Sequence, residues 1–348
     1  MCSSAMAKVI VTGHHGYIGS VLVGRLLEAG HEVLGIDSFL YEGCDFGEAK
    51  SVPELRLDVR DVGPEHLQGA DAVVHLAALS NDPLGALQPE LTRQINRDGT
   101  LDVARAAKEA GVTRFVFASS CSMYGGGGGL VDENAELSPL TEYARSKVDS
   151  ERGLLELADD SFSPVLMRNA TVYGVSPRLR IDLVLNNLVG WAHTTGQVRV
   201  LSDGSPWRPL IHVDDLARAT THLIDAKRSN VHAEAFNVGA TGENYQVREL
   251  AELALEAVPG SSVEYAGEGE PDARSYQVDF RKFASRFPDF RFLWTAREGA
   301  QELASAYRER ELGPEAFESD RYVRLRRIDA LVEAGAVDAQ LRRTTSVT

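Results

Sequence analysis

Cysteine is scarce in this chain: Cys2, Cys44 and Cys121 are the three cysteines among 348 residues. They are too few and too scattered for a disulfide framework or a zinc site, so we expect no metal. This content fits a reducing compartment such as the cytoplasm. The composition is otherwise ordinary, with 43% hydrophobic and 25% charged residues. A chain of this length forms one large domain or two smaller ones.

Long apolar runs are also lacking. No window reaches 18 uncharged apolar residues, which argues against a membrane partner. Residues 1–6 lead at once into the first predicted strand, without a basic region followed by an apolar core. We therefore expect no export signal and a cytoplasmic location.

Positive charge is in deficit, with 36 Lys and Arg residues against 51 Asp and Glu residues and a net charge of −15. Nucleic acid is therefore not expected as a general partner, because phosphate backbones need a basic surface. A small anionic ligand is still compatible with this charge, since a few local arginines can hold a diphosphate.

One stretch near the N-terminus carries a strong ligand signal. A short β-branched run at 8–12 meets three glycines spaced G-x-x-G-x-x-G, Gly13, Gly16 and Gly19, and an apolar helical pattern follows. In a strand–turn–helix of this kind, backbone N–H groups and the helix N-terminus bind a pyrophosphate. The next predicted strand ends at Asp37, about where a ribose-binding acid belongs. The alternative is an ordinary strand–turn–helix with loop glycines.

Strand and helix patterns then alternate along the first half of the chain. Apolar strand patterns occur at 55–61, 71–78, 114–120 and 163–170, and a long helical pattern at 91–111. This alternation predicts an α/β protein with a doubly wound parallel sheet, the Rossmann fold. Ligands bind beyond the C-terminal strand ends of such a sheet, so Gly13, Asp37, Asp58, Ala78 and Ser120 should share one crevice. Asp58 could accept from an adenine amino group or be a solvated loop acid.

The second half of the chain is less regular. After Gly174 prolines interrupt the alternation, and the pattern returns with a helix at 213–226, a strand at 235–239 and a helix at 247–257. Five consecutive glycines at 125–129 indicate either a mobile loop beside the site or a surface insertion without a role.

Tyr143 and Lys147 lie four residues apart on a predicted helix, on one face of it. A phenol is a poor base at neutral pH, and a nearby ammonium group favours the phenolate. Tyr143 could then exchange a proton with a sugar hydroxyl during hydride transfer. Lys147 could also hold the nicotinamide ribose, and Ser120, at a strand end, is the candidate for a hydroxyl that bonds the same substrate oxygen. A Tyr and a Lys four residues apart also occur together by chance in helices. The catalytic interpretation therefore depends on the position of this pair downstream of the predicted dinucleotide-binding turn.

Taken together, these motifs resemble the extended short-chain dehydrogenase/reductases, the NAD-dependent nucleotide-sugar epimerase/dehydratase family. The matching segments run in family order: 12–19, Asp37, 57–59, 75–78, Asn96, 119–125, 143–147, 167–174 and 208–215. The resemblance covers about residues 8–280. It implies tightly bound NAD, a catalytic set of Ser120, Tyr143 and Lys147, and a nucleotide diphosphate sugar as substrate.

The resemblance also implies an organisation and a site. It implies a Rossmann domain at 7–176 plus 211–240, a smaller C-terminal α/β domain for the NDP-sugar at 177–210 plus 241–310, and a homodimer packed through the helices around 91–111 and 141–158. The implied cofactor residues are Gly13, His15, Gly16, Tyr17, Ile18, Gly19, Asp37, Asp58, Val59, Leu76, Ala77, Ala78, Asn96, Ser119, Tyr143 and Lys147. The implied substrate residues are Ser80, Ser122, Thr171, Arg178, Arg180, Arg208 and Arg274. Surface arginines paired with acids are the alternative for Arg178, Arg180 and Arg208.

Two departures from the family pattern narrow the reaction. The family's 4,6-dehydratases carry Asp and Glu where Cys121 and Ser122 stand, and its decarboxylases usually carry Glu at the second position. Neither Cys nor Ser is a good acid or base at neutral pH, which makes dehydration and decarboxylation less favoured. Asn is common where Thr171 stands, which leaves that substrate contact open.

Epimerisation and net ketosugar reduction need only hydride transfer and a proton. Asp37 would repel a 2′-phosphate and so favours NAD over NADP. Because the epimerases recycle a retained NAD, an NAD-dependent epimerase is the leading hypothesis. An NAD(P)H-dependent NDP-ketosugar reductase is the alternative, and a dehydratase is less favoured. A non-catalytic NAD-sensing regulator is a third class, against which the Ser–Tyr–Lys set speaks.

The last stretch, 311–348, lies outside the resemblance. It is locally basic and contains apolar residues at helical spacing, among them Ile328 and Leu331. We expect a helical tail that docks on its own domain or on a partner subunit, with a solvated charged face as the alternative.

Overall fold

A seven-stranded parallel sheet forms the centre of the computed structural model, which describes residues 6–80, 85, 88–126, 129–265 and 275–344. Its strands are β1 Lys8–Thr12, β2 Glu32–Asp37, β3 Glu54–Arg56, β4 Ala72–His75, β5 Arg114–Ser120, β7 Ser163–Asn169 and β11 Glu234–Val238. Their order is β11-β7-β5-β4-β1-β2-β3, with every pairing parallel. The predicted doubly wound α/β sheet is confirmed.

The chain reverses its direction of travel across the sheet beside β1. β2 and β3 extend the sheet to one side of β1, and β4, β5, β7 and β11 extend it to the other. Such a reversal leaves a crevice between the loops that follow β1 and β4, where ligands bind in open α/β sheets. The apolar side chains of β1, Val9, Ile10 and Val11, are fully buried because helices cover both faces of the sheet.

The helices cover the sheet and build the second half. They are α1 Tyr17–Glu28, α2 Pro89–Arg93, α3 Gly99–Glu109, α4 Glu142–Leu157, α5 Val184–Thr195, α6 Val213–Asp225, α7 Arg228–Val231, α8 Val247–Ala257, α9 Arg281–Arg286, α10 Ala296–Glu309, α11 Pro314–Phe317 and α12 Arg324–Glu333. None of the described helices is long and apolar enough to cross a membrane.

Three predicted boundaries need correction. The strand predicted at 55–61 ends at Arg56, and Val59–Asp61 is a 3₁₀ turn because the Asp58 carboxylate accepts the Arg60 N–H and caps it. β4 ends at His75 rather than at residue 78. The helix predicted at 91–111 contains a π-helical segment, Gln94–Asp98, between α2 and α3.

Smaller sheets belong to the second half. β8 Thr171–Tyr173, β10 Trp207–His212 and β12 Asn244–Gln246 form one sheet, in which β10 pairs parallel with β8 and antiparallel with β12. β9 Gln197–Val200 pairs with β13 Ser262–Tyr265, and β6 Leu130–Val131 pairs with β14 Gln277–Val278. A separate apolar core lies between α5, α8 and α10, with Leu185, Leu250 and Leu303 fully buried in it. The division of the chain into two domains stays a prediction.

The C-terminal tail packs on its own chain. Ile328, Leu331, Val337 and Leu341 are buried in the apolar cluster that contains Ile10 of β1. Of the two predicted docking modes, the described structure therefore shows the tail against its own sheet.

Candidate active site

The glycine turn after β1 packs closely against the protein's own backbone. Gly13 has φ +76°, and a Cβ there would lie 2.8 Å from the backbone nitrogen of Ala77. A Cβ at Gly19 would lie 2.2 Å from the carbonyl oxygen of Gly13, because α1 leaves the strand at very close range. Gly16 is the N-cap of α1, so the first N–H groups of that helix point toward the crevice mouth.

Asp37 lies at the end of β2 on the opposite wall of this crevice. Its Oδ2 accepts a hydrogen bond from the His15 N–H (3.0 Å), and its Oδ1 accepts one from the Phe39 N–H (2.7 Å). Burial raises the pKa of the Asp37 carboxyl, against the opposing effect of these hydrogen bonds. The carboxylate thus ties the glycine turn to the loop after β2.

Most of the predicted cofactor residues line this one crevice. They are Gly13, Gly16, Tyr17, Ile18, Gly19, Asp37, Asp58, Val59, Leu76, Ala77 and Ala78. The carboxylate of Asp58 is engaged, because Arg60 donates to both of its oxygens (2.9 and 2.6 Å). Although burial opposes the change, these hydrogen bonds lower the pKa of Asp58.

Asn96 and His15, also predicted to bind the cofactor, do not line this crevice. The side chain of Asn96 is fully buried, where it accepts the N–H of Leu79 and donates to the Leu79 carbonyl oxygen (2.8 and 3.0 Å). It shapes the wall of the crevice through the loop after β4. The ring of His15 contacts the Arg178 guanidinium and lines a neighbouring pocket. Burial, together with the charge of Arg178, lowers the pKa of His15 to about 4.

A second cleft, of about 770 Å³, adjoins the crevice and contains the predicted catalytic residues. Ser119, Ser120, Tyr143 and Lys147 all line it. Tyr143 and Lys147 come from α4, and the two serines come from the end of β5. Ser120 Oγ donates to Ser122 Oγ (2.9 Å) and accepts the Ser122 N–H (3.1 Å), so the strand end and the turn after it form one hydroxyl cluster.

Lys147 is 2% exposed and sits between the helix and the sheet. Its Nζ donates to the carbonyl oxygen of Ala118 (2.6 Å) and lies 4.5 Å from the centroid of the Phe117 ring. Burial lowers the pKa of Lys147 to about 7, and the charge of Glu151 opposes this change. A neutral lysine is therefore accessible near physiological pH.

The predicted substrate residues divide between the cleft and other places. Ser80, Ser122, Thr171, Arg180 and Arg208 line the cleft. Arg178 does not line it; this arginine forms an ion pair with Asp45 on the wall of the neighbouring pocket. Arg274 lies outside the described residues.

The structure adds residues that the sequence analysis missed. Asn169, Asn187, Arg199 and Tyr276 line the cleft, and Ser38, Leu40, Tyr41, Ile95, Arg324 and Leu341 line the crevice. Asn169 ends a strand within the quoted segment 167–174, which was an available signal. Arg324 and Leu341 had no local signal, because they reach the crevice only through the docking of the tail.

The chain matches a known protein family over most of its length. Residues 9–239 match the NAD dependent epimerase/dehydratase family, which is well over half of the chain. The chain belongs to this family. It is 28% identical to UDP-glucose 4-epimerase of Bacillus subtilis (strain 168), over 74% of this chain and 84% of that protein. It is 30% identical to dTDP-glucose 4,6-dehydratase of Streptomyces griseus, over 78% of this chain and 85% of that protein.

A solved structure with a similar fold is MoeE5 in complex with UDP-glucuronic acid and NAD. It is 30% identical to this chain with a TM-score of 0.76, covering 87% of this chain and 99% of that one. This family consists of NAD-dependent enzymes of the extended short-chain dehydrogenase/reductase type. The protein is therefore an enzyme of that type, and NAD is its cofactor.

The described residues fit NAD on two observations. The glycine turn and the N-terminus of α1 line the crevice, where backbone N–H groups can bind a diphosphate. The hydroxyl oxygen of Ser119 and Oδ1 of Asn169 are buried without a hydrogen-bond partner beside the cleft. Because buried polar groups seldom lack a partner, these two atoms are available to polar groups of a ligand.

The family position occupied by Cys121 faces away from the cleft. Cys121 is fully buried in the apolar core, and its Sγ donates to the carbonyl oxygen of Arg168 (3.1 Å). Burial raises its thiol pKa well above the ordinary value. Cys121 is thus a core residue that cannot serve as an acid or base toward a substrate.

Proposed function

We propose that this protein is an NAD-dependent nucleotide-sugar epimerase that oxidises one sugar hydroxyl transiently and reduces the ketone again from the other face. The proposal rests on which side chains line the cleft. It holds a Ser–Tyr–Lys set, and its only carboxylate among the described residues is that of Asp182. Arg180 engages that carboxylate with two hydrogen bonds (3.0 and 2.8 Å).

The chain supplies the proton chemistry of this reaction. When bound, NAD supplies a hydride acceptor and donor. Tyr143 takes the proton of the sugar hydroxyl and returns it in the second half of the cycle. Lys147, when protonated, stabilises the phenolate, and the Ser120 hydroxyl orients the same substrate oxygen.

Elimination of water needs a further acid and base, and the cleft offers neither at the family positions. Cys121 is turned into the core, and the Ser122 hydroxyl bonds Ser120. This arrangement supports epimerisation over dehydration.

A nucleotide diphosphate sugar is the proposed substrate. The named relatives are a UDP-glucose epimerase and a dTDP-glucose dehydratase, and the cleft offers three arginines for a diphosphate, Arg180, Arg199 and Arg208. Arg208 is 9% exposed and is therefore held in place by its surroundings. In this proposal, segments 177–210 and 241–310 form the sugar-binding domain.

A ketosugar reductase is the second candidate, because the same Ser–Tyr–Lys set serves net reduction. Asp37 favours the first candidate: it presents a carboxylate in the crevice, which repels the 2′-phosphate of NADPH.

A panel of NDP-sugars separates these candidates. The purified holoprotein is incubated with each sugar while ¹H NMR follows the ring protons and absorbance at about 340 nm follows cofactor redox state. An epimerase yields a second NDP-sugar without stoichiometric NADH formation or consumption. Stoichiometric NAD(P)H consumption on a ketosugar, or a 4-keto-6-deoxy product, would overturn the proposal. Mass spectrometry of ligands released from the purified protein checks for resident NAD.

The homodimer implied by the resemblance is part of this proposal. Leu155, on α4, is 44% exposed, and Leu140, just before that helix, is 42% exposed. Light scattering during gel filtration should give the mass of two chains, and a monomer mass would contradict the dimer.

A further inference from the structure

The C-terminal segment 314–344, outside the stretch that matches the family, forms part of the cofactor crevice. Arg324 of α12 and Leu341 line the same crevice as Gly13, Tyr17 and Asp37. Leu341 is 2% exposed, and its backbone adopts φ +53°, a conformation that is uncommon for a leucine. The tail thus reaches a site whose other residues lie about 300 positions earlier in the chain.

The segment is fastened to the loop after β2 and to the turn after β3. Arg327 Nη2 donates to the carbonyl oxygen of Glu42 (2.7 Å), and Arg343 Nε donates to that of Ser38 (3.0 Å), both in the loop after β2. In the turn after β3, Arg60 Nη2 donates to the carbonyl oxygen of Gln340 (2.9 Å). These contacts hold the segment beside the crevice, where Arg324 and Leu341 line it.

Arg324 is the unusual member of this segment. It is 3% exposed, its Nη2 donates to the carbonyl oxygen of Arg178 (3.1 Å), and its guanidinium lies 4.0 Å from the centroid of the Tyr41 ring. Its Nη1 is buried without a hydrogen-bond partner. Within the described ranges, no carboxylate lies within ion-pair distance of it. A buried guanidinium without an ion-pair partner is costly, and the position of Arg324 beside a ligand crevice suits an anionic ligand group.

We propose that Arg324 binds the diphosphate of NAD and that the C-terminal segment thereby retains the cofactor. This inference rests on the proposed assignment of the crevice to the dinucleotide. The diphosphate is the anionic part of NAD, and the N-terminus of α1, with Tyr17 and Ile18, lines the same crevice. The neighbouring Arg180 donates to Asp182 and Ser80, whereas Nη1 of Arg324 is buried without a hydrogen-bond partner.

Exchange of the resident cofactor tests the proposal. Holoenzyme is mixed with excess radiolabelled NAD, and the rate at which label enters the protein is followed by rapid gel filtration. Arg324→Gln removes the charge and should speed exchange about tenfold or more, the effect of losing a charge-assisted hydrogen bond. Arg326→Gln is the matched control, because Arg326 lies on the same helix with a side chain that is 56% exposed. It should change exchange by less than about twofold.

Competition by cofactor fragments separates the diphosphate contact from simple closure of the crevice. ADP should displace NAD from the wild type better than adenosine does, and Arg324→Gln should lose most of this preference while its affinity for UDP stays unchanged. Arg324→Lys keeps the charge without the forked guanidinium, so its preference for ADP should lie between those of the wild type and Arg324→Gln. This variant replaces Arg324→Gln in the experiment if the Gln variant does not fold.

Unchanged exchange in Arg324→Gln, or an unchanged preference for ADP, would overturn the role of Arg324 while leaving the proposed function intact. A loss of UDP affinity with unchanged ADP affinity would move Arg324 to the substrate and also overturn it. A wild-type protein that holds no NAD would overturn the proposed function itself.

Discussion

The ammonium nitrogen of Lys147 lies 5.6 Å from the centroid of the Tyr143 ring, one turn away on the same helix. The lysine is anchored by the Ala118 carbonyl oxygen at the sheet, while the tyrosine lines the cleft. The helix α4 thus carries a buried cation and a cleft-facing phenol on one face. This pairing places the acid–base group of the proposed reaction next to the hydroxyls at the end of β5.

Replacing the phenol tests its proton role. Tyr143→Phe should lower kcat by about 10²–10⁴, the usual contribution of a general acid–base, because the proposed proton transfer depends on that hydroxyl. The variant should still copurify with NAD. Tyr265→Phe, at a tyrosine that is 39% exposed and outside the cleft, should keep wild-type turnover. Full turnover by Tyr143→Phe would contradict the assignment.

The shifted pKa of Lys147 predicts how stability changes with pH. Burial lowers it from 10.5 to about 7, so between these values the unfolded chain binds the proton more strongly than the folded chain. The contribution of this lysine to the free energy of unfolding therefore rises with pH across that window. We compare the melting temperatures of wild type and Lys147→Met, both free of NAD. The wild-type value minus the variant value should increase by about 2 °C or more as pH rises from about 7 to about 9. A flat or falling difference would contradict the buried position.

Two glycines on one helix make a matched pair. A Cβ at Gly19 would lie 2.2 Å from the Gly13 carbonyl oxygen, whereas a Cβ at Gly24 would have its nearest contact at 3.9 Å, with the Lys50 side chain. Gly19→Ala should therefore lose bound NAD and lower the melting temperature. Gly24→Ala should keep NAD and stabilise the protein by up to about 1 kcal/mol, since alanine favours the helix interior. The ratio of absorbance at 260 and 280 nm and thermal unfolding measure both effects, and equal behaviour of the two variants would refute the close approach.

A buried ion pair holds α4 against the sheet. Arg168 Nη2 of β7 donates to Glu151 Oε2 (2.7 Å), and the two side chains are 9% and 4% exposed. Glu151→Gln leaves the guanidinium without its counter-charge and should cost about 3–5 kcal/mol in the free energy of unfolding. The double variant Glu151→Gln with Arg168→Met should cost less than the sum of the single variants, which denaturant titration measures. Additive costs would show that the two side chains do not act as a pair.

Local patterns explain why much of the site was predictable. The glycine turn excludes a Cβ at two positions, so glycine marks it in the sequence. The period of the apolar residues identifies the strands. Tyr143 and Lys147 share a helix face because they are four residues apart. These features depend on neighbours in sequence. The strand ends then meet because parallel strands place their C-terminal ends at one edge of the sheet, so Asp37, Asp58 and Ala78 line one crevice as predicted.

These local patterns did not predict the direction in which individual side chains point. Arg178 and Arg180 are two residues apart, yet Arg180 lines the cleft while Arg178 pairs with Asp45 in another pocket. Asn96 matches a cofactor motif of the family, but its side-chain amide forms hydrogen bonds with the backbone of Leu79. In each case the choice among possible partners depends on which loops fold nearby.

The sequence by itself determined the Rossmann sheet, the glycine turn and the Tyr143–Lys147 helix, because backbone geometry and residue period act over short distances. Only the tertiary structure decided that Cys121 faces the core and that Arg324 lies at the cofactor crevice. The physical reason is that the position of Arg324 comes from the burial of Ile328 and Leu331 against the sheet, a packing between segments about 300 residues apart in the chain.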